Sequence, residues 1–225
     1  MRTQRRWSLA PLALVAVLGV AGCSGGEEPL PATTAPVAEG PVLRPGAPGE
    51  PNETLTGTAA APITTPTVNP IDATFYQDMI VHHAQAIVMV ESVLPRLTDT
   101  QVKALASRIG DEQGPEIQAM AKWLTERKRD VPPQATNPRL GDHDHAGMPG
   151  MATDAQLTSL TKVTGVEADR MFLQLMTAHH QGALTMVQKY AAGGTDDFVG
   201  KMATEIDVTQ SKQIAQMQDM LTRLS

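Results

Sequence analysis

Apolar residues recur at spacings of three and four along most of the chain beyond residue 70, a pattern typical of amphipathic helices. One long helix is predicted to end at Pro95 and another at Gly193-Gly194, because proline and glycine interrupt helices. Two more long helices are predicted from about 100 to 128 and from 196 to 224, and a shorter one from 153 to 163. The sequence has no sustained alternation of apolar and polar residues that would predict strands. We therefore expect an all-α fold.

The second half of the helical region repeats the first at an offset of 97 residues. Of the 40 positions compared, in 72–90 and 104–124, 15 carry the same residue 97 positions later, far more than chance would give. Asp72 and Asp169 lie where a helix start favours an acid, and Gly114-Pro115 is predicted to kink the second helix. Two tandem helical hairpins make a four-helix bundle, which is the architecture that we expect.

The N-terminus has the layout of an export signal. Three arginines precede a twelve-residue, mostly apolar run from 9 to 20, which is too short to span a bilayer comfortably. The run ends in Val20-Ala21-Gly22-Cys23, which resembles a bacterial lipobox and implies cleavage after residue 22 and acylation of Cys23. The alternative is an ordinary secretory signal with a chance cysteine. We expect a protein held at the cell membrane by its N-terminal lipid and facing away from the cytoplasm.

Residues 23–70 are predicted to form a disordered tether. The segment 24–70 holds 10 of the 17 prolines and 6 glycines and has no aromatic residue, so it cannot bury enough apolar surface to offset its ordering entropy. The expected organisation is a signal peptide (1–22), the tether (23–70) and a helical domain (71–225). Within that domain we expect a first hairpin (71–131), a loop (132–152) and a second hairpin (153–225).

Charge and cysteine content exclude several classes of function. Without its first 22 residues the chain keeps 15 basic and 24 acidic residues, a net charge of −9 that would repel nucleic acid phosphates. The single cysteine excludes a disulfide framework and a Cys-rich zinc site. We therefore expect no nucleic acid partner, and membrane contact only through the lipid at Cys23.

Each half carries the motif Met-x-x-His-His-x-x-Ala-x-x-Met. The candidate metal ligands in it are Met79, His82, His83 and Met89 in the first half, and Met176, His179, His180 and Met186 in the second. The first methionine lies one helical turn before the histidines, so a thioether and an imidazole can converge on one ion. Additional candidates are Met120 or Met217 on the facing helix and Asp78, which lies four residues before His82.

The alternative is that these residues only pack. A stripe of methionines is a common core filler, and a buried histidine is usually just hydrogen-bonded. Adjacent helical positions point about 100° apart, so we expect at most one histidine of each pair to face the core directly. The counterpart of Asp78 in the second half is Leu175, so the two sites need not be equivalent.

The loop between the hairpins adds an independent signal. Residues 142–151 contain two acids, two histidines and two methionines without a hydrophobic pattern. His143, His145, Met148 and Met151 are therefore candidate ligands, because the neighbouring glycines let the backbone turn around an ion. A solvated polar loop is the alternative.

The donor types indicate which metal would bind. Thioethers favour Cu(I), while imidazole suits copper, zinc and nickel alike. With no thiolate available, a His/Met set outside the cytoplasm points first to a copper ion, and it leaves zinc and other divalent metals open.

These residues resemble the family called domain of unknown function 305. The resemblance rests on the paired His-His helices and on two Gln-x-x-x-Ile-x-x-Met segments, Gln113–Met120 and Gln210–Met217, and it covers about residues 71–225. It implies a ferritin-like helical fold of secreted and lipid-anchored bacterial proteins, some of which are linked to copper binding and tolerance. The family pattern marks the eight His and Met residues of the repeated motif. The chain departs from that pattern at Gly114-Pro115.

Three functions are compatible with the sequence. The first is a cell-surface lipoprotein that binds copper for sequestration or tolerance, with no protein partner assigned. The second is a metal-dependent oxidoreductase, although the chain has no Glu-x-x-His motif of the kind that di-iron bundles use. The third is a helical interaction module whose histidines sense pH. No catalytic residue is predicted, so the sequence favours a binding protein over an enzyme.

Overall fold

The computed structural model describes residues 40–46, 49–57, 67–140 and 148–225. The chain divides into two compact units, Met1–Thr65 and Pro66–Ser225, which are described separately. The predicted signal segment and Cys23 lie outside the described residues.

The first unit contains a short antiparallel hairpin. Strand β1 (Val42–Arg44) pairs with strand β2 (Glu53–Leu55), and an ion pair joins Arg44 to Glu53 across the two strands. Nearly all of these residues are exposed, so the hairpin has little core of its own. The sequence predicted a disordered tether here and missed both strands. Three residues are too few for an alternation of apolar and polar residues to be recognised. The bounds of the tether stay a prediction.

The second unit is helical. Its helices are α1 (Pro70–Val93), α2 (Thr100–Glu126), α3 (Asp154–Leu160), α4 (Gly165–Ala191) and α5 (Asp197–Arg223). Short 3-10 turns occur at Leu94–Arg96 and Pro133–Ala135. The all-α fold class is confirmed, and the sequence offset of 97 relates α1 to α4 and α2 to α5. In the part of the chain that the structure describes, no helix combines the length and apolarity needed to cross a membrane.

The four long helices pack around two groups of buried apolar side chains. Helix α1 contacts α2 and α4, and α5 contacts α4 and α2. We call the two groups the first core cluster, which includes Tyr76, Trp123 and Tyr190, and the second core cluster, which includes Leu105 and Phe172. Each cluster draws side chains from all four long helices, so neither hairpin has a core of its own. The ferritin-like assignment stays a prediction.

Helix α2 runs through Pro115 from Thr100 to Glu126. A proline normally crowds the residue before it in a helix, and Gly114 lessens that clash because it has no Cβ. The helix therefore continues past the dipeptide that was predicted to kink it, and the kink itself stays a prediction.

Asp72 and Asp169 hold the start of a helix in the opposite half. The Asp72 carboxylate accepts hydrogen bonds from the backbone N–H groups of Thr195 and Asp196, just before α5. The Asp169 carboxylate does the same for Thr98 and Asp99, just before α2, with O···N distances of 3.0 Å, and also accepts from the Thr98 hydroxyl at 2.7 Å. Both aspartates are buried. The two halves are therefore tied together by a reciprocal pair of contacts.

Candidate metal centre

Helices α1 and α4 bring all four histidines of the repeated motif into one buried group. The rings of His82 and His179 lie in contact, with centroids 3.8 Å apart, and the rings within each pair are 6.4 Å (His82–His83) and 6.3 Å (His179–His180) apart. All four residues are fully buried. The expectation that at most one histidine of each pair faces the core is therefore wrong.

The reason is that α1 and α4 are covered on two sides. His82 and His179 lie where α1 meets α4, whereas His83 and His180 each bond to the second helix of their own hairpin. An angle of about 100° between neighbouring side chains thus directs one imidazole to each contact.

The inner pair, His82 and His179, bonds to backbone carbonyls. His82 Nε2 lies 3.2 Å from the carbonyl oxygen of Pro149, and His179 Nε2 lies 3.0 Å from that of His82. A carbonyl oxygen can only accept a hydrogen bond, so Nε2 must carry the proton in both rings.

The outer pair, His83 and His180, bonds to side chains of α2 and α5. His83 Nε2 donates to Glu116 Oε2 at 2.8 Å, and His180 Nε2 lies 2.7 Å from Gln213 Oε1. The Gln213 amide is oriented by Glu112, whose Oε2 accepts from Gln213 Nε2 at 2.6 Å. Since the amide nitrogen is committed to Glu112, its oxygen faces His180 and accepts. Both outer rings are therefore protonated at Nε2.

At all four rings the other nitrogen, Nδ1, has no hydrogen-bond partner among the described residues. With the proton on Nε2, each Nδ1 presents a lone pair inside the fold. A buried polar atom without a partner is costly, and most buried polar atoms in proteins avoid it. Histidines that bind metals through one nitrogen commonly donate the other N–H to a carbonyl or a carboxylate, which is the arrangement seen at three of these rings.

Burial also keeps the imidazoles of His82, His179 and His180 neutral. It lowers the pKa of His82 from 6.5 to about 3, with a further contribution from the neighbouring His83. Burial lowers the pKa of His180 to about 4, although its bond to Gln213 acts in the opposite direction. The pKa of His179 is well below 6.5, again chiefly because of burial. At neutral pH these rings therefore hold no second proton that would compete with a metal for Nδ1.

The six helical methionines that were predicted as ligands divide into two equivalent groups. Met79, Met120 and Met186 belong to the first core cluster, whereas Met176, Met217 and Met89 belong to the second. The offset of 97 converts each member of one group into a member of the other. Each group thus takes two methionines from one half and one from the other. All six are buried, so any thioether ligand would be supplied from inside the fold.

The end of the interhairpin loop is fixed beside His82. Gln85 makes two hydrogen bonds with the backbone of Ala152, one from its amide nitrogen (2.9 Å) and one to its oxygen (2.7 Å). Gly150 has a positive φ of 76°, and a Cβ built at Gly182 on α4 would clash with the backbone of Pro149. The missing Cβ of Gly182 therefore lets the loop approach α4 and bring the Pro149 carbonyl to His82.

The loop residues predicted as ligands are only partly described. His143 and His145 lie outside the described residues. Met148 is half-buried and packs against the first core cluster, and Met151 is half-buried as well. Asp78 is also half-buried, and its role as an additional ligand or as a group that orients His82 stays a prediction. Across the described ranges, no three His, Cys, Asp or Glu side chains are grouped so that they could hold a metal by themselves.

Sequence reasoning missed the acceptors that orient the rings, namely Glu116, Gln213 and the carbonyl oxygens of Pro149 and His82. It also missed Glu112, which orients the Gln213 amide. Glu116 and Gln213 occupy equivalent positions at the offset of 97, three residues after the repeated Gln113 and Gln210. Their equivalent positions on the helices that face the histidines could have identified them as acceptors. The Pro149 carbonyl has no side-chain signature and could not have been identified in this way.

Comparison with known proteins identified one family and several solved structures. A family model for the domain of unknown function DUF305 matches residues 72–221. A DUF305 protein from Streptomyces coelicolor, described as secreted, is 33% identical, with 68% of this chain and 93% of that chain covered and a TM-score of 0.59. A DUF305 fragment from Deinococcus radiodurans is 31% identical, with coverage of 70% and 99% and a TM-score of 0.62.

Another similar structure is that of CopM in its Cu(II)-bound form. It is 32% identical, with 68% of this chain and 97% of that chain covered and a TM-score of 0.59. CopM has also been solved in Cu(I)-bound and silver-bound forms, which are 28% and 27% identical to this chain. A search among curated proteins found no significant match.

Proposed function

Because the chain belongs to the DUF305 family, we propose that it binds copper in the interior of its helical domain and sequesters the ion outside the cytoplasm. The ligands would be the Nδ1 atoms of His82, His83, His179 and His180, together with thioethers of the two methionine groups. Cys23 would carry the lipid that anchors the protein to the cell membrane.

The observation that carries this proposal is the state of the four imidazoles. Each Nε2 donates to a fixed acceptor, and each Nδ1 is buried without a partner among the described residues. A purely structural histidine would be expected to use both nitrogens or to expose one of them. Four orphaned lone pairs in one buried group are costly for the apo protein, and an ion that accepts them would offset that cost.

The donor set fits copper better than zinc. Zinc sites use Cys, His and carboxylate ligands and would leave the buried thioethers unused. Imidazole lone pairs supplemented by thioethers suit Cu(I), which accepts few and soft ligands. Similar proteins at 27–32% identity have been solved with Cu(II), Cu(I) and silver, which supports the same class of ion here.

The loop ligands are a separate part of the proposal. Met148 follows directly on the segment with His143 and His145, and it packs against the cluster that contains Met79 and Met120. We propose that His143, His145, Met148 and Met151 also bind copper.

A Cu(I) titration of the reduced, full-length protein tests the proposal. His82→Leu/His179→Leu replaces the two contacting rings by apolar side chains of similar size. We expect the double variant to stay helical and to bind Cu(I) at least about tenfold more weakly, a loss of about 1.4 kcal/mol. Competition with a chromophoric chelator measures the affinity.

Trp123→Phe is the matched control, because it removes another buried nitrogen that has no partner among the described residues but is not a metal ligand. It should leave copper affinity unchanged. If the histidine variant binds copper as the unmodified protein does while its melting temperature falls, the histidines are structural and the proposal is wrong.

A further inference from the structure

We infer that the two outer histidines favour metal ions of different charge. His83, bonded to Glu116, favours divalent Cu(II), whereas His180, bonded to Gln213, favours monovalent Cu(I) or Ag(I). This inference rests on the proposed function, because it concerns how the same buried group divides its ions.

The two positions differ in one charge and are otherwise closely matched. Glu116 and Gln213 are related by the offset of 97, as are His83 and His180. Their bonds to Nε2 have nearly the same length, 2.8 Å and 2.7 Å. The equivalent methionines also occur on both sides, so thioether donors do not distinguish the halves. The acceptor behind the imidazole is what differs.

A carboxylate behind the imidazole changes which ionic charge is favoured at Nδ1. Both histidines are fully buried, so a cation at Nδ1 is poorly solvated and its charge has to be compensated by nearby groups. Attraction to one negative charge is proportional to the charge of the ion, so Glu116 stabilises a doubly charged ion about twice as much as a singly charged one. A carboxylate on Nε2–H also raises the basicity of the ring as a ligand.

The second half offers less negative charge to compensate a metal ion at His180. Gln213 is neutral, and the nearest acid in that chain of hydrogen bonds, Glu112, bonds to the far side of the Gln213 amide at 2.6 Å. Its charge is therefore separated from His180 by a whole side chain. Thr209 occupies the position equivalent to Glu112, so the second half supplies no acid of its own there. A monovalent, soft ion needs the least compensation and is the one that this position favours.

Two variants test the inference: one removes the charge at Glu116, and the other moves a charge while keeping the net charge. Glu116→Gln gives the first half the acceptor of the second, and its amide oxygen can still accept from His83. The double variant Glu112→Gln/Gln213→Glu exchanges the acid and the amide beside His180 and leaves the net charge unchanged. Circular dichroism checks that both remain folded. Affinities for Cu(II) and for Ag(I) are measured separately by calorimetry, and electron paramagnetic resonance follows the Cu(II) signal.

Glu116→Gln should weaken Cu(II) binding by about 10- to 100-fold, the usual range for groups that orient a ligand, and weaken Ag(I) binding much less. The exchange variant should strengthen Cu(II) binding and give a second Cu(II) signal resembling the first. Equal effects on both ions, or no effect on Cu(II), would overturn the inference while leaving the proposed function intact. Failure of the unmodified protein to bind either ion would instead overturn the proposed function.

Discussion

The two halves of the helical domain have the same candidate ligands but orient their histidines with different groups. In the first half, His82 bonds to the loop carbonyl of Pro149 and His83 to a carboxylate. In the second half, His179 bonds to the carbonyl of His82 and His180 to an amide. Duplication thus kept histidines and methionines in register, while the groups behind them diverged.

This difference shows which part of the fold a repeated sequence determines. Helix register places the four imidazoles and the six methionines, because both halves use the same spacing on the same helices. The loop is present only once, so it can supply a carbonyl acceptor to the inner histidine of only one half. It packs against α4 at Gly182 and supplies an acceptor to His82 on α1, which makes the inner pair asymmetric.

The largest effect is expected from removing the reciprocal aspartates. Asp169→Ala takes away an acceptor of three hydrogen bonds and leaves the donors of Thr98 and Asp99 without a partner. We expect the free energy of unfolding to fall by about 3–5 kcal/mol. Asp72→Ala should cost about 2–4 kcal/mol, because its bond to the Thr195 hydroxyl is longer, at 3.4 Å. Urea unfolding monitored by circular dichroism measures both.

Asp154→Ala is the control, because this residue is exposed in the first turn of α3. Its cost should stay within about 0.5 kcal/mol. Losses of that size at Asp72 and Asp169 would mean that the halves do not depend on each other in this way.

A smaller effect is expected where the loop meets α4. Gly182→Ala places a methyl group against the backbone of Pro149, so the loop must move away from His82. We expect a loss of about 1–3 kcal/mol. The same substitution at Gly110, inside α2, meets only Val90 Cγ1 at 3.4 Å and should stabilise the helix by about 0.5–1 kcal/mol.

Thermal unfolding of the two variants separates loop contact from helix propensity. Equal stabilisation by both substitutions would show that the loop does not pack at Gly182. The asymmetry between the halves would then have to be attributed to Glu116 alone.

Much of the fold follows from the sequence, because helical periodicity and the repeat are properties of the chain itself. Helices α2 and α5 begin and end within about two residues of their predicted bounds, and α3 lies inside its predicted range. The strands β1 and β2 were missed because three residues are too few to show alternation. Asp72 lies in the first turn of α1 as predicted, whereas Asp169 is the fifth residue of α4, because that helix begins at Gly165. The contacts of both aspartates with the opposite half depend on how the hairpins pack.

The sequence predicted the candidate ligands of the site, but it did not predict their burial or their hydrogen-bond acceptors. Spacing alone identified the paired histidines and the methionines. It could not show that both histidines of each pair are buried, because this depends on α1 and α4 each contacting two neighbouring helices. The backbone acceptors at Pro149 and His82 cannot be recognised from the pattern of side chains. Glu116 and Gln213 can be recognised, but only when the helix that faces the histidines is considered.

The central claim is that Nε2 is protonated in His82, His83, His179 and His180, and that Nδ1 is free to bind a soft metal ion. Long-range ¹H–¹⁵N correlation spectra of the metal-free protein, followed by titration with Ag(I), test it directly. We expect all four rings to carry a proton on Nε2 and their Nδ1 resonances to move on addition of silver. Rings protonated at Nδ1, or Nδ1 resonances that silver leaves unchanged, would contradict the account.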